Sequence, residues 1–304
     1  MDKILKIETV DQYNKMRGMK TLHPLVCVID LTKAKQMPAQ MFNFGLYAIF
    51  LKDLESGELR YGRDKYDYQE GTLVFIAPGQ VAGSLPHMPP CRPEGWALLF
   101  HADLIKGTSL GKHVHDYSFF SYDVNEALHL SEKERQIVLD CFSKIQYELD
   151  RTVDKHSRIL IAANIELFLG YCTRFYDRQF ITRDRVLKGI VKHLETLLHQ
   201  YFQTDGPQTT GLPSVAWCAS QLHLSPNYLG DVVKKETGVS AHEYIQHKVI
   251  DMAKARLFDM EKSIGDIASD LGFKYPQHFT RLFKLRVGQT PQVYRQMNDE
   301  VHRN

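Results

Sequence analysis

Hydrophobic residues are spaced in two different ways along the chain. Up to about residue 125 they come in short runs, continuous or alternating with polar residues: Leu46 to Leu51, Leu59 to Gly62, Leu73 to Ala77 and Trp96 to His101. Rich in aromatic and β-branched side chains, these runs predict strands. Between them stand Ser56-Gly57, Glu70-Gly71, Pro78-Gly79, Pro89-Pro90 and Glu94-Gly95. Glycine and proline at that spacing predict the turns of a small barrel or sandwich. After Leu130 the period becomes helical. Ser131 and Glu134 form a capping box ahead of Ile137, Cys141, Ile145 and Leu149. A second helix, from about Lys155 to Phe175, carries Ile159, Leu160, Ile161, Ile165, Leu167, Phe168, Leu169 and Tyr171 and is apolar nearly all round. So wide an apolar surface needs more than one neighbour. Tyr176 to Asp184 is charged and without a clear apolar period, which predicts a hinge.

The last third of the chain repeats one arrangement. Ser263 and Asp266 form a capping box, and Ile264, Ile267, Ala268 and Leu271 recur on one helical face until Gly272. Glycine takes the left-handed conformation there without strain, so the chain turns sharply through Phe273, Lys274 and Tyr275 before Pro276 opens the next helix. With Phe279 at zero and about 100° per residue, Leu282 and Phe283 share its side. Gln277, Thr280, Arg281 and Lys284 gather opposite, with His278 beside them. An earlier copy starts at Pro213. Val215, Ala216, Ala219 and Leu222 make its stripe, His223 and Leu224 turn the chain, and Ser225-Pro226 caps a second helix with Leu229, Val232 and Val233 inward. Asn227, Asp231 and Lys234 face out, with Tyr228 and Lys235 nearby, and Gly238 closes the end. Between the copies, Ser240 and Glu243 cap a helix running to about Met260, with Ile245, Val249, Met252, Ala253 and Leu257 on its buried side. About 18 residues at 1.5 Å each make a spacer of roughly 27 Å, able to hold two helices in successive major grooves of DNA about 34 Å apart.

The chemistry of the outward faces suits DNA. Glutamine pairs with adenine and arginine with guanine through two hydrogen bonds each, while threonine and lysine hold phosphate. Asp231 repels phosphate and Gly230 has no side chain to read with, so the second copy is expected to carry more of the specificity. A single amphipathic helix with a polar face is more often merely solvated; two copies make the DNA reading the better one.

Ser263-Ile264-Gly265-Asp266-Ile267-Ala268, Leu271-Gly272-Phe273, Phe279-Thr280-Arg281, Phe283-Lys284, Gly288, Thr290-Pro291 and Tyr294-Arg295 resemble the C-terminal signature of AraC-type transcriptional regulators. The resemblance extends over roughly residues 182 to 300. It includes Leu224-Ser225-Pro226, Tyr228-Leu229 and Lys234-Lys235-Glu236-Thr237-Gly238, and departs from the family at Gly230, at Asp231 and in the loop Gln203 to Leu212. It implies a seven-helix domain with two helix-turn-helix motifs that binds double-stranded DNA, contact with RNA polymerase, a role as activator, and an N-terminal cupin-like barrel whose helices make a homodimer. Pattern and resemblance together give an α+β chain of two domains. Residues 1–178 are expected to hold the barrel (about 20–125) and the dimerisation-type helices (about 131–178). Residues 182–304 are expected to be all-α, with motifs at about 213–237 and 263–287.

Composition changes this picture little. The chain of 304 residues is 43% hydrophobic and 24% charged, ordinary for a globular protein of two domains. Its net charge of +2 divides unevenly. From residue 181 onward there are 16 Lys plus Arg against 13 Asp plus Glu, and before it 22 against 23, so the half expected to read DNA is only mildly basic. Five scattered cysteines with no C-x-x-C pair suit a reducing cytoplasm, and no run approaches the roughly 18 apolar residues that cross a bilayer. Gly107, His113 and His115 imitate the start of a cupin metal motif, but no Glu follows within three to five residues, and Asp116 is misplaced. No metal, cofactor or catalytic set is therefore expected, and surface or loop histidines are the better reading. The barrel is instead a candidate pocket for a small-molecule effector, with Tyr47, Tyr61, Tyr68 and Trp96 as aromatic walls and Arg60 and Arg63 as cations. Two other readings stand beside regulation: a cupin-type metalloenzyme carrying a DNA-binding appendage, and an architectural DNA-binding protein without an effector.

Overall fold

Thr9 and Gln12 cap each other at the start of the first helix, and from there the chain builds a mixed unit of strands and helices over Met1–Thr182; a second, helical unit spans Arg183–Asn304. The computed structural model describes residues 4–37, 40–52, 71–83, 95–123, 126–152, 154–182 and 184–303. The expected strand Leu59 to Gly62 and the turns at Ser56-Gly57 and Pro89-Pro90 lie outside these residues.

In the first unit α1 (Val10–Arg17) follows β1 (Leu5–Ile7), and β1 with β2 (Val26–Asp30), β3 (Met41–Phe44), β4 (Tyr47–Lys52), β5 (Thr72–Ile76), β6 (Val81–Gly83), β7 (Gly95–Phe100) and β8 (Leu128–His129) make two sheets. One has the order β1-β3-β6 and the other β2-β7-β4-β5-β8. The three strands expected at Leu46, Leu73 and Trp96 form, each within a residue of its predicted ends. They lie side by side at the centre of the larger sheet, Ala48 opposite Ile76 on one flank and Leu99 on the other. Their near-continuous apolar character has a physical reason: the sheet is covered on both faces. Ala48, Val74, Ile76, Ala97 and Leu99 join a core with Ile7, Tyr13, Phe42 and Phe44. On the opposite face Tyr47 stacks on Phe100 at 4.9 Å, and Phe75 lies 4.5 Å from Phe119 and 6.4 Å from Phe168.

Several expectations need correction. Among the described residues the larger sheet ends on β2 and β8, which do not pair with each other, so the barrel is not closed. Regular structure starts at Leu5 rather than near residue 20, and the Thr9/Gln12 box that opens α1 was legible in the sequence. The stretch after β7, read as loop, folds into α2 (Ala102–Ile105), α3 (Ser109–His113) and two single turns of tighter helix. Both expected helices are present as α4 (Glu132–Leu149) and α5 (Ser157–Thr182). The latter extends to Thr182, well into the segment read as a hinge. Its polar residues there are tertiary partners of β8 and of the first turn of α4. Gln179 accepts a hydrogen bond from the His129 amide at 2.8 Å, and Arg178 binds Glu134 at 2.8 Å and the His129 carbonyl at 2.7 Å.

The second unit contains, among the described residues, eight helices: α6 (Asp184–Gln203), α7 (Gly206–Thr210), α8 (Val215–Gln221), α9 (Pro226–Thr237), α10 (Ala241–Arg256), α11 (Ile264–Asp270), α12 (Pro276–Val287) and α13 (Pro291–Arg303). Seven were implied. The extra one, α7, sits in the loop where the sequence leaves the family pattern. All but α7 share one core that joins Leu194 and Phe202 of α6, Leu229 and Val233 of α9, Ile245 and Val249 of α10, Ile267 of α11, and Phe279 and Phe283 of α12, with Tyr294 of α13 packed against it. In α8 the stripe is rotated from the expected one. Cys218 and Ala219 are buried and Ala216 is exposed, because Trp217 turns to Tyr201, 4.6 Å between ring centres.

Gly272 fixes how α11 meets α12. Its φ is +90°, and a β-carbon there would stand 2.7 Å from the carbonyl carbon of Gly211, at the end of α7. Gly288, φ +86°, closes α12 with nothing within 4 Å of such an atom. Gly272→Ala is expected to cost about 1–3 kcal/mol of backbone strain plus the clash, and Gly288→Ala the strain alone. Urea unfolding of the two variants checks this; equal midpoints would mean that the contact with Gly211 yields freely.

Candidate nucleic-acid interface

The two helix pairs α8–α9 and α11–α12 are built alike from local signals. Ser214 and Ser263 cap the first helices, Leu224 and Phe273 each donate a backbone hydrogen bond back across the turn at 2.9 Å (to Ala219 and Ala268), and Pro226 and Pro276 open the second helices. Gly238 and Gly288 end them in the left-handed conformation, each amide donating at 2.9 Å to the lysine carbonyl four residues back. The turns differ. In the first the left-handed position is held by His223 at φ 56°, among the described residues the one non-glycine at positive φ, and Ser225 caps the Tyr228 amide. In the second the residue is glycine, the turn is one residue longer, and Tyr275 makes no side-chain cap.

Burial of the inward faces turns the polar faces out. Leu229, Val232, Val233, Phe279 and Phe283 are fully buried, the two phenylalanines edge to face at 5.7 Å. On α12, Gln277, His278, Arg281 and Lys284 are exposed and Thr280 is half-buried. On α9, Asn227, Lys234 and Lys235 are exposed and Asp231 is half-buried. Tyr228 is placed on the packed side, only 7% exposed. Among the described residues, the side chains of Gln277, Thr280, Arg281 and Lys284 form no hydrogen bond or ion pair within the chain, whereas Asp231 and Lys235 are engaged. The outward face of α12 therefore holds an amide, a hydroxyl, a guanidinium and an ammonium ready for an external partner.

Other charged residues hold these helices in place. Arg286 points back from α12, donating to Gln246 Oε1 at 2.6 Å and standing 3.6 Å from Glu243 on α10. Its position was a signal that sequence reading passed over, because it falls within about 20° of Phe279 on the apolar stripe, where a charge needs a tertiary partner. Arg256 of α10 donates to the carbonyls of Asp270 and Phe202, and Lys262 and Gln208 bind the Asp270 carboxylate. Arg295 of α13 donates to the carbonyls of Leu257 and Lys262, both at 3.0 Å. Glu195 of α6 accepts from Tyr244 Oη at 2.7 Å and Lys248 Nζ at 2.8 Å on α10. The Lys248 and Tyr244 hydrogen bonds hold the Glu195 carboxyl below its usual value, and burial first, then this carboxylate, pushes the Tyr244 phenol up.

Of the effector candidates, Tyr47 and Trp96 lie among the described residues. Tyr47 is a core residue, 8% exposed and stacked on Phe100. Trp96 is half-buried at the far end of the same pair of strands, opposite Leu51. Arg60, Tyr61, Arg63 and Tyr68 lie outside the described residues. Among the described residues a groove of about 680 Å³ lies elsewhere, against Thr9, Asp11, Thr21, His23 and His101. His113 ends α3 with Nδ1 3.1 Å from the Ser109 carbonyl, and His101 caps α2. Among the described residues no three His, Cys, Asp or Glu stand where they could hold a metal ion. Cys27, Cys141, Cys172 and Cys218 are buried free thiols; burial pushes Cys27 up to about 12 and Cys218 to about 11, leaving them inert at neutral pH. Among the described residues no helix is long and apolar enough to cross a membrane.

The paired motifs define a helix-turn-helix protein, and residues 218–297 match the family described as a helix-turn-helix domain. YobQ of Bacillus subtilis, an uncharacterized HTH-type transcriptional regulator, is 33% identical over 238 residues, 67% of this chain and 92% of YobQ. Two other regulators of that species, likewise uncharacterized, align over less. YtdP is 34% identical over 120 residues and YfiF 30% over 151, covering 40% and 49% of this chain. The chain spans only 15% of YtdP and 44% of YfiF. The chain belongs to the AraC-type helix-turn-helix transcriptional regulators.

The link between α6 and α10 has a pH signature. A carboxyl whose folded value is lowered adds stability above its unfolded value and loses it as pH falls through the folded one. Glu195→Gln should lower the unfolding midpoint at neutral pH, and the gap to the parent should close below about pH 4. An unchanged gap in acid would remove the ionic contribution.

Proposed function

We propose that this protein is a sequence-specific, DNA-binding transcriptional activator that sets α9 and α12 into successive major-groove half-sites. The observation that carries the reading is the outward face of α12, where Gln277, Thr280, Arg281 and Lys284 are turned from the core with no partner in the chain among the described residues. Arg281 and Gln277 match guanine and adenine edges, and Thr280 and Lys284 match phosphate. His278 borders them. On α9, Asn227, Lys234 and Lys235 supply positioning contacts, Asp231 accepts from a cytosine amine, and Tyr228 supports from within. The spacer α10, 16 residues or about 24 Å long, suits the separation of adjacent grooves. Such a regulator works in the cytoplasm and contacts RNA polymerase at its promoters. A small-molecule effector of the first unit would draw its contacts from Tyr47, Arg60, Tyr61, Arg63, Tyr68 and Trp96.

The first unit also makes the homodimer, through α5. Glu166 and Arg174 stand four residues on either side of Gly170, and Ile159 and Ile181 eleven on either side. All five fall within about 40° of one line along the helix. Ile159 and Ile181 are 63% and 64% exposed, and a side chain at Gly170 would meet nothing within 4 Å. An antiparallel copy crossing at Gly170 would bring Glu166 to Arg174 twice and Ile159 to Ile181 twice, a self-complementary surface of the kind a two-fold dimer requires.

Selection from random DNA at fixed salt tests the whole reading: a motif in two parts about one helical turn apart is expected, and equal affinity for all sequences would favour an architectural protein instead. At the selected site Arg281→Ala should cost about 1–3 kcal/mol and relax preference at one base pair, while Lys284→Ala should weaken all sequences alike and flatten the salt dependence. Sedimentation tests the dimer. Glu166→Arg should dissociate it, and the added exchange Arg174→Glu should restore it; a dimer indifferent to both would place the interface elsewhere.

A further inference from the structure

We propose that Leu285 is a specificity-determining residue that reads the 5-methyl group of a thymine in the major groove. The inference rests on the reading above, in which α12 enters that groove. Leu285 is 75% exposed, the most exposed large hydrophobic side chain among the described residues. An exposed leucine in isolation needs no explanation. This one lies on the same side of the helix as candidate readers, one turn beyond Arg281. Counted from Phe279 at about 100° per residue, Arg281 falls near 200°, Leu285 near 240° and His278 near 260°. Leu282 and Val287 of the same helix pack against the core, and Leu285 does not.

A helix that docks by this face desolvates everything on it. Phosphates and the polar base edges would each lose water to a leucine and gain nothing, and the thymine methyl is the one apolar group that a base pair of unmodified DNA presents in the major groove. Burying one methyl-sized group against an apolar side chain is worth about 0.8 kcal/mol, a factor of about four in affinity. The equivalent place in the first motif, fifty residues earlier, is Lys235, a charged residue that is engaged. Apolar reading therefore belongs to the second half-site, where it adds a base preference to the hydrogen bonds of Gln277 and Arg281.

Deoxyuridine differs from thymidine by that methyl alone. With the full chain bound to its selected site at fixed salt, each thymine is replaced singly by deoxyuridine and the dissociation constants of the parent and of Leu285→Ala are compared. At one position the replacement is expected to weaken the parent about fourfold. Leu285→Ala should be weakened by a similar factor on the thymine site and show no further loss with deoxyuridine. If no replacement separates the two proteins, the assignment is overturned. It is overturned equally if Leu285→Ala binds DNA as the parent does but loses activation, which would give the leucine to a protein partner. Failure of the parent to prefer any sequence would overturn the groove reading itself, an outcome distinct from selective binding that ignores the methyl.

Discussion

The helical unit depends on a single apolar core that both second helices share. Leu229 and Val233 enter it from α9, Phe279 and Phe283 from α12, and Ile245, Val249 and Ala253 of α10 run between them. Two short helices of 12 residues each would not hold an orientation alone. Burying one face of each in common material fixes both at once, and the polar faces point outward as a consequence. A packing defect under either helix would thus be felt at the other.

Polar contacts refine what the core sets. Arg286, Arg256 and Arg295 each bridge from one helix to a neighbouring helix or loop and spend their hydrogen bonds on carbonyl oxygens or on Gln246. Arg281 and Lys284, on the same α12, are turned outward and form no such bonds among the described residues. Cations of the same kind thus divide into fasteners and candidate readers by which side of the helix they occupy. The motifs also differ in rigidity of design. His223 tolerates the left-handed turn at some cost, while Gly272 takes it freely and lets the backbone at Gly211 come close. The longer second turn and its glycine mark this motif as the more closely fitted to its surroundings, through α7.

In the first unit the constraint is double coverage of a sheet. Side chains of β4, β5 and β7 alternate between the core built with β1, β3 and α1 and the aromatic layer of Phe119, Phe120, Phe168 and Tyr176. The second layer ties the sheet to α5, the helix whose opposite face carries the exposed isoleucines. Phe75 and Phe168, 6.4 Å apart, are part of that connection.

The sequence by itself determined the local elements with strong signals. Capping boxes at Ser131, Ser240 and Ser263, prolines at the starts of α9 and α12, glycines at their ends and the 3.6-residue period of the inward faces placed these helices closely, because each signal acts within a turn or two of chain. Three strands were legible for the same reason. Short strands such as Leu5–Ile7 and Leu128–His129 were not, since so few residues carry no period and depend on a distant partner. Only tertiary structure decided that the polar end of α5 stays helical, because Arg178 and Gln179 find partners fifty residues away in sequence. The same holds for the site. Which residues face outward on α12 followed from the angle between them, whereas the packing of Tyr47 and Tyr228, the partners that Arg286 finds on α10 and the isolation of Leu285 depended on what the rest of the chain brought against each one.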